Sequence, residues 1–325
     1  MRRMLVVLNA EAGAVRDGGA EKVRDEVDAA LTRSDMDVEV VLASGAEIAR
    51  VIDGVPNRGC DTLVVGAGDG TVSYACSVLA GTDIALGVLP LGTMNLLAHD
   101  IGLPRDLPGA LAALRRAEPR KIDLGTLNGR AFHGVSGIGF FSQMALAREQ
   151  MREKRGRVLG WLIALGKALV RAGRMSIEIE IEGRRESIEA YAALVTVNAF
   201  DAPGLHRAHL DGGRLEVLVA EHRGALAKLK TGAEVLVGAW RNSPGIHAFT
   251  AERVTIHGTR RRVWVATDGE VTRETLPLRY AIVPRALTLL VPPEGIRGPE
   301  EEAAAASRPE GETIHRGVST SSHQG

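Results

Sequence analysis

The chain has 325 residues, with 40 basic and 40 acidic side chains, 45% hydrophobic residues and 3% aromatic ones. That length suits two ordinary domains better than one large one, and zero formal charge leaves no whole-molecule field for a polyanion, which argues against nucleic acid as the main partner. No run reaches the roughly 18 consecutive apolar residues that span a bilayer, Met1-Arg2-Arg3-Met4 leads straight into a strand-like segment, and the two cysteines are too few for a disulfide framework, so a cytoplasmic chain with reduced thiols is expected.

Short apolar runs at Met4-Leu8, Val38-Leu42, Thr62-Val65, Ala85-Leu89 and Lys121-Leu124 predict five strands. Ala20, Val23, Val27, Ala30 and Leu31 recur at helical spacing, as do Leu107, Ala110, Leu111 and Leu114. Strands alternating with amphipathic helices predict an α/β domain over 1–125, doubly wound around a mostly parallel sheet.

After residue 126 the pattern changes. Ile177-Glu178-Ile179-Glu180-Ile181 and the run from Ser187 to Val197 alternate with period two, which predicts antiparallel strands turned by Gly183-Arg184. Further strands are predicted at Leu215-Val219, Val254-His257, Val263-Thr267, Leu278-Ile282 and Leu287-Val291, and helices over Gly139-Glu153 running toward Arg157-Ala172 and over Ala225-Trp240. A β-sandwich over 126–295 follows. Residues 296–325 are rich in Ala, Glu, Ser, Thr, Gly and Pro and predict a disordered tail.

Chemistry concentrates in two loops. The buried-type strand Thr62-Leu63-Val64-Val65 ends in Gly66-Ala67-Gly68-Asp69-Gly70-Thr71 before a helix-like run, an arrangement that aims backbone amides at a phosphate. Thr71 adds a hydroxyl, and an acid at Asp69 suits phosphate only with a cation between them, which points to magnesium. A plain turn with Thr71 as helix cap accounts for the same residues, and neither the P-loop lysine nor the dinucleotide fingerprint is present. Pro90-Leu91-Gly92-Thr93-Met94-Asn95 follows the next strand, and loops after consecutive strands share one crevice in open α/β sheets.

These residues carry a resemblance. Ala67-Gly68-Asp69-Gly70-Thr71 resembles the GGDGT phosphate loop of the diacylglycerol kinase catalytic-domain family, and Pro90-Leu91-Gly92-Thr93-Met94-Asn95 resembles its PLGTxN segment. Ala98-His99-Asp100-Ile101-Gly102-Leu103-Pro104, Ile122-Asp123-Leu124-Gly125, Gly137-Ile138-Gly139-Phe140 and Asp268-Gly269-Glu270 are similar to that family in the same order. The resemblance implies a soluble lipid kinase with its active site in the cleft between the two domains, the last strands returning to the first. It implies ATP and Mg2+ as cofactors. Asn9, Gly13, Gly68, Asp69, Gly70, Thr71, Thr93 and Asn95 are then the nucleotide-binding residues, Asp69 and Asp211 the metal ligands, and Glu270 or Asp268 the base. Two segments depart from the pattern: Ala67 replaces the first glycine of the loop, and Asn9-Ala10-Glu11-Ala12-Gly13 stands where the family has NPxSG.

An NAD kinase-like enzyme and a non-catalytic nucleotide- or lipid-binding regulator are the alternatives. The apolar run Val158-Val170, flanked by Arg152, Lys154, Arg155, Arg157, Arg171 and Arg174, suits either an interfacial helix on anionic lipid or a helix packed on the β domain. A lipid substrate at a membrane surface is the expected partner, met from the cytoplasm at the inner face of the membrane. The identity of the lipid and the oligomeric state, a homodimer included, stay open.

Overall fold

The computed structural model describes residues 2–33, 35–93, 95–151, 173–200, 207, 209–222, 243 and 245–293. Its first half runs β1 (Arg2–Asn9), α1 (Gly13–Gly18), α2 (Ala20–Leu31), β2 (Met36–Ala43), α3 (Ala46–Gly54), β3 (Thr62–Ala67), α4 (Asp69–Leu79), β4 (Ala85–Pro90), α5 (Leu96–Asp100), α6 (Leu107–Leu114) and β5 (Glu118–Leu127). Strands β2, β1, β3 and β4 pair in parallel in that order. Every residue of β3 and β4 is buried, as central strands covered on both faces require.

Alternate residues of these strands feed two cores. Leu5, Val7, Leu63, Val65, Leu86 and Val88 pack with Ile48 and Ile52 of α3 and with Cys76 and Leu79 of α4. Met4, Val6, Leu8, Val64 and Leu89 turn the other way, onto Val23, Val27 and Leu31 of α2 and Leu111 and Leu114 of α6. The doubly wound expectation holds. Helix α3, which the sequence reading left without an element, contributes Ile48 and Ile52 at i, i+4 spacing.

The second half runs β6 (Arg130–Phe132), β7 (Val135–Gly139), α7 (Phe140–Met151), β8 (Met175–Ile181), β9 (Arg184–Val197), β10 (Leu215–Glu221), β11 (Ile246–Ala251), β12 (Arg253–Gly258), β13 (Arg262–Thr267), β14 (Glu270–Thr275) and β15 (Leu278–Val291). Its strands enclose a core of Phe132, Ile138, Ile177, Ile179, Ile188, Val195, Val217, Val254, Ile256, Val265, Leu278 and Tyr280, the expected β-sandwich.

Three details correct the sequence reading. The β8–β9 hairpin turns at Glu182-Gly183, one residue earlier than expected: Ile181 pairs with Arg184, and both turn residues have positive φ, 50° and 79°. Leu278-Ile282 and Leu287-Val291 form one strand, broken only by an irregularity between Val283 and Leu287 where Arg285 adopts φ 53°. Strand β5 does not extend the parallel sheet, because β15 takes the place beside β4 in parallel register, Thr288 opposite Ala85, and β5 pairs antiparallel with β15. Strand β15 thus puts Leu278 and Tyr280 into the sandwich core and Leu287, Leu289 and Val291 into the α/β core.

The expected helices over Arg157-Ala172 and Ala225-Trp240, and the expected disordered tail, lie outside the described residues. Among the described residues no helix is long and apolar enough to cross a membrane.

Candidate active site

The first loop is built by close approach. Near the end of β3, a Cβ on Gly66 would lie 2.6 Å from Leu8 Cδ2 and 2.8 Å from Leu91 Cδ1, so a larger residue would have to push both leucine ends aside. Gly68 caps α4 with extended backbone, and its carbonyl accepts the amides of Thr71 and Val72, both at 3.1 Å. No side chain caps this helix, so its first amides are left for a ligand at the positive end of the helix dipole.

The second loop presses against the first. A Cβ on Gly92 would lie 2.5 Å from Gly68 Cα and 2.8 Å from Asn95 Oδ1. Asn95 sits at φ 51° and laces its own loop together: Oδ1 accepts the Gly92 amide at 2.9 Å, while Nδ2 donates to the Pro90 carbonyl at 3.2 Å and the Gly92 carbonyl at 3.1 Å. Asp69 joins the loops, accepting the Asn95 amide at 3.0 Å and the Leu96 amide at 2.6 Å, which places a carboxylate on the first turn of α5. Two glycines and two carboxamide or carboxylate side chains therefore make the pair of loops one rigid unit.

The β13–β14 hairpin brings the two candidate bases to this unit in different states. Asp268 and Gly269 form its two-residue turn with φ 45° and 90°. The Asp268 side chain is fully buried. It accepts the amides of His133 at 2.8 Å, Gly134 at 3.0 Å and Val135 at 2.9 Å, and the Ser73 hydroxyl of α4 at 2.8 Å. Four donors occupy the roughly four acceptor sites of a carboxylate. Glu270 is open, its side chain 59% exposed, with Arg130 Nη2 3.7 Å from Oε2. It lies over the first turn of α4: a Cβ on Gly70 would be 3.7 Å from both Cγ and Oε1 of Glu270.

The remaining expected site residues are placed less closely. Asn9 ends β1, and Leu8 beside it pairs with Gly66, so Asn9 stands at the same end of the sheet as the loops; its Oδ1 accepts the Glu11 amide at 2.9 Å. Gly13 opens α1, and nothing lies within 4 Å of a Cβ added there. Thr71 is half-buried in the first turn of α4 and Thr93 is exposed on the second loop. Asp211 is exposed on a loop fixed by Asp123, whose Oδ2 accepts the Gly213 amide at 2.7 Å, whose Oδ1 accepts the Arg285 amide at 2.8 Å and whose own amide donates to the Leu210 carbonyl at 2.7 Å. Among the described residues neither Asp69 nor Asp211 belongs to a cluster of three or more His, Cys, Asp or Glu side chains able to hold an ion.

A buried brace ties α5 to the sandwich, and the sequence reading missed it. Arg207, 2% exposed, pairs with Asp100 at the end of α5 through Nε (3.1 Å), Nη2 and its backbone amide (3.2 Å). Its Nη1 donates to the His133 carbonyl at 2.6 Å and the Val197 carbonyl at 3.0 Å. The connection is continuous: Asp69 holds α5, Asp100 holds Arg207, Arg207 holds His133, and the His133 amide holds Asp268 two residues from Glu270. Arg207 has no periodic apolar neighbours in the sequence, so no sequence signal marks it. Asp123, a charge inside the apolar strand Ile122-Leu124, did carry one. Behind the site, burial first and the Asp268 charge second push the Cys76 thiol far above its ordinary range.

A family model of the diacylglycerol kinase catalytic domain matches residues 3–127, and a model of the YegS C-terminal NAD kinase beta sandwich-like domain matches residues 135–291. The chain belongs to the diacylglycerol kinase catalytic-domain family of lipid kinases. This lipid kinase is 29% identical over 289 residues to a protein of Mycobacterium tuberculosis named diacylglycerol kinase, covering 86% of this chain and 92% of that one. It is 23% identical over 288 residues to an uncharacterized protein of Synechocystis, covering 84% of this chain but only 65% of the relative. A crystal structure of a putative diacylglycerol kinase from Bacillus anthracis shares the fold of this kinase with a TM-score of 0.69 at 21% identity, covering 90% of this chain and 95% of that one.

Proposed function

We propose that the protein is an ATP- and magnesium-dependent kinase that transfers the γ-phosphoryl group of ATP to a lipid hydroxyl, with diacylglycerol as acceptor. The reading rests on one observation above all: Glu270, an open carboxylate from the β half, stands over the uncapped first turn of α4 from the α/β half. Phosphate oxygens fit against Gly68 and Gly70, whose backbone carries no side chain of its own, with Thr71 and Thr93 supplying hydroxyls and the Asn9–Gly13 turn closing the same sheet end. The carboxylate of Asp69, held beside this loop by the Asn95 and Leu96 amides, would be the one protein ligand for a magnesium ion whose other ligands come from the ATP phosphates and water. Bound there, that ion spreads the charge of the transferring group.

Glu270 is the base. The lipid oxygen forms its bond to the γ-phosphorus as the bond to the bridging oxygen breaks, ADP departs with that electron pair, and the hydroxyl proton passes to Glu270. Asp268 is the anchor that sets the turn in place, its lone pairs already committed. Asp211, exposed on the loop held by Asp123, would offer its carboxylate to a second ion. Residues 1–125 would form the nucleotide half and 126–295 the lipid half, working from the cytoplasm at the inner face of the membrane. The names of the relatives support diacylglycerol.

The test is incubation of the purified chain with radiolabelled ATP, Mg2+ and mixed vesicles containing diacylglycerol. Label entering the organic phase supports the reading. Labelled NADP formed on addition of NAD, or ATP binding without any transfer, overturns it in favour of the two alternatives.

A further inference from the structure

We infer that the outer end of the β13–β14 hairpin is a docking surface for an anionic lipid bilayer, a reading that rests on the lipid-kinase function. Arg260, Arg261 and Arg262 at the β12–β13 turn and Arg273 on β14 line one open concavity, and no other residue lines it. Among the described residues none of the four has a carboxylate at ion-pair distance, in a chain whose 40 basic and 40 acidic residues balance. Four like charges around one hollow repel one another until a counter-charge arrives from outside.

The hairpin register adds an aromatic to the charge. Trp264 pairs with Arg273, so the two share the hairpin face opposite Val265, which is fully buried. Trp264 is 42% exposed, with Arg273 Cζ 5.8 Å from its ring centroid. Strand β14 is the terminal strand of its sheet. An exposed tryptophan beside a cluster of arginines matches the two layers of a membrane interface, ring at the headgroup level and guanidinium groups on lipid phosphates. A nucleic-acid strand would need a basic track along several phosphates, and the arginines here gather around a single hollow. The hairpin carries Glu270 at its other end. Five residue steps along β13 separate Arg262 from Thr267, about 17 Å at ~3.3 Å per residue, so a docked hairpin holds the base within about one leaflet's depth of the lipid phosphates.

The test is sedimentation of the full chain with vesicles of phosphatidylcholine alone or with 30% phosphatidylglycerol (about one lipid in three, an ordinary anionic surface). The expected result is phosphatidylglycerol-dependent binding that high salt abolishes. Each arginine neutralised near the surface should lower the partition coefficient about fivefold, so R260Q/R261Q/R262Q should lose about 100-fold. Transfer to a monomerically dispersed short-chain diacylglycerol should stay at the wild-type rate in that variant, since none of the three lies at the site. Equal binding by the triple variant and the wild type, or equal binding to both vesicle types, overturns the proposal. So does competition by duplex DNA that removes the protein from the vesicles at equimolar phosphate. A chain that docks through the arginines yet transfers no phosphate leaves the docking surface standing and removes the kinase reading instead.

Discussion

Asp268→Asn and Glu270→Gln remove one charge each from residues two apart, and the structure assigns them opposite consequences. The Asp268 side chain is fully buried and accepts four hydrogen bonds. An asparagine oxygen in place of Oδ1 keeps the Gly134 and Val135 amides, while its NH2 group faces the His133 amide and the Ser73 hydroxyl. The hydroxyl can rotate to accept, but the His133 amide is left as a buried orphan. Losing charge-assisted bonds at ~1.5–3 kcal/mol each and leaving one buried donor unmet costs about 3–5 kcal/mol, a fifth or more of an ordinary stability of ~5–15 kcal/mol. Glu270 is exposed, with its nearest cation 3.7 Å away, so its neutralisation changes stability by less than about 1 kcal/mol. Removing the base lowers kcat by about 10²- to 10⁴-fold. Urea unfolding followed by circular dichroism, beside a transfer assay on each variant, separates the two effects. A stable Asp268→Asn protein together with a fully active Glu270→Gln protein would refute both assignments.

Other expectations follow from the same geometry. Gly92→Ala forces its Cβ to within 2.5 Å of Gly68 Cα and should raise the KM for ATP at least about tenfold in a steady-state assay. Arg207→Met leaves Asp100 charged and buried and should destabilise the chain by about 3–5 kcal/mol in urea unfolding; a combined Asp100→Leu/Arg207→Met change should recover most of that loss. Cys60 and Cys76 are buried, so Ellman's reagent should find no thiol in the native chain and two after unfolding. The raised Cys76 pKa stabilises the fold below the thiol's ordinary value of 9.0, and above it the unfolded chain releases a proton that the folded chain keeps. Stability should therefore fall above pH 9 by about 1.4 kcal/mol per pH unit, with Tyr280, also raised chiefly by burial, adding to the slope above pH 10; Cys76→Ala should flatten the first segment.

The elements legible from sequence were those whose pattern is local. The buried runs of β3 and β4 and the i, i+4 stripe of α2 need no partner to be recognised, and neither does the alternation of β8. Helix α3 escaped notice because its apolar stripe is short, with Ile48 and Ile52 its only buried residues. The pairing of β15 was not derivable from its residues, since a strand of alternating apolar side chains does not say which edge it will meet. At the site, glycines and acids marked the loops because close backbone approach and charge leave a compositional trace. The division of labour between Asp268 and Glu270 left none: both are acids in a tight turn, and only the donors converging from α4 and residues 133–135 tell them apart.

The placement of β15 also sets an order for biosynthesis. Strand β4 is buried along its whole length, and one of its two neighbours is a segment that leaves the ribosome some 200 residues later. Until then a nascent chain presents an apolar ribbon with unmet amides and carbonyls, an invitation to intermolecular pairing that chaperones must cover. An expression fragment stopped at residue 127 would carry that ribbon permanently and should accumulate in inclusion bodies.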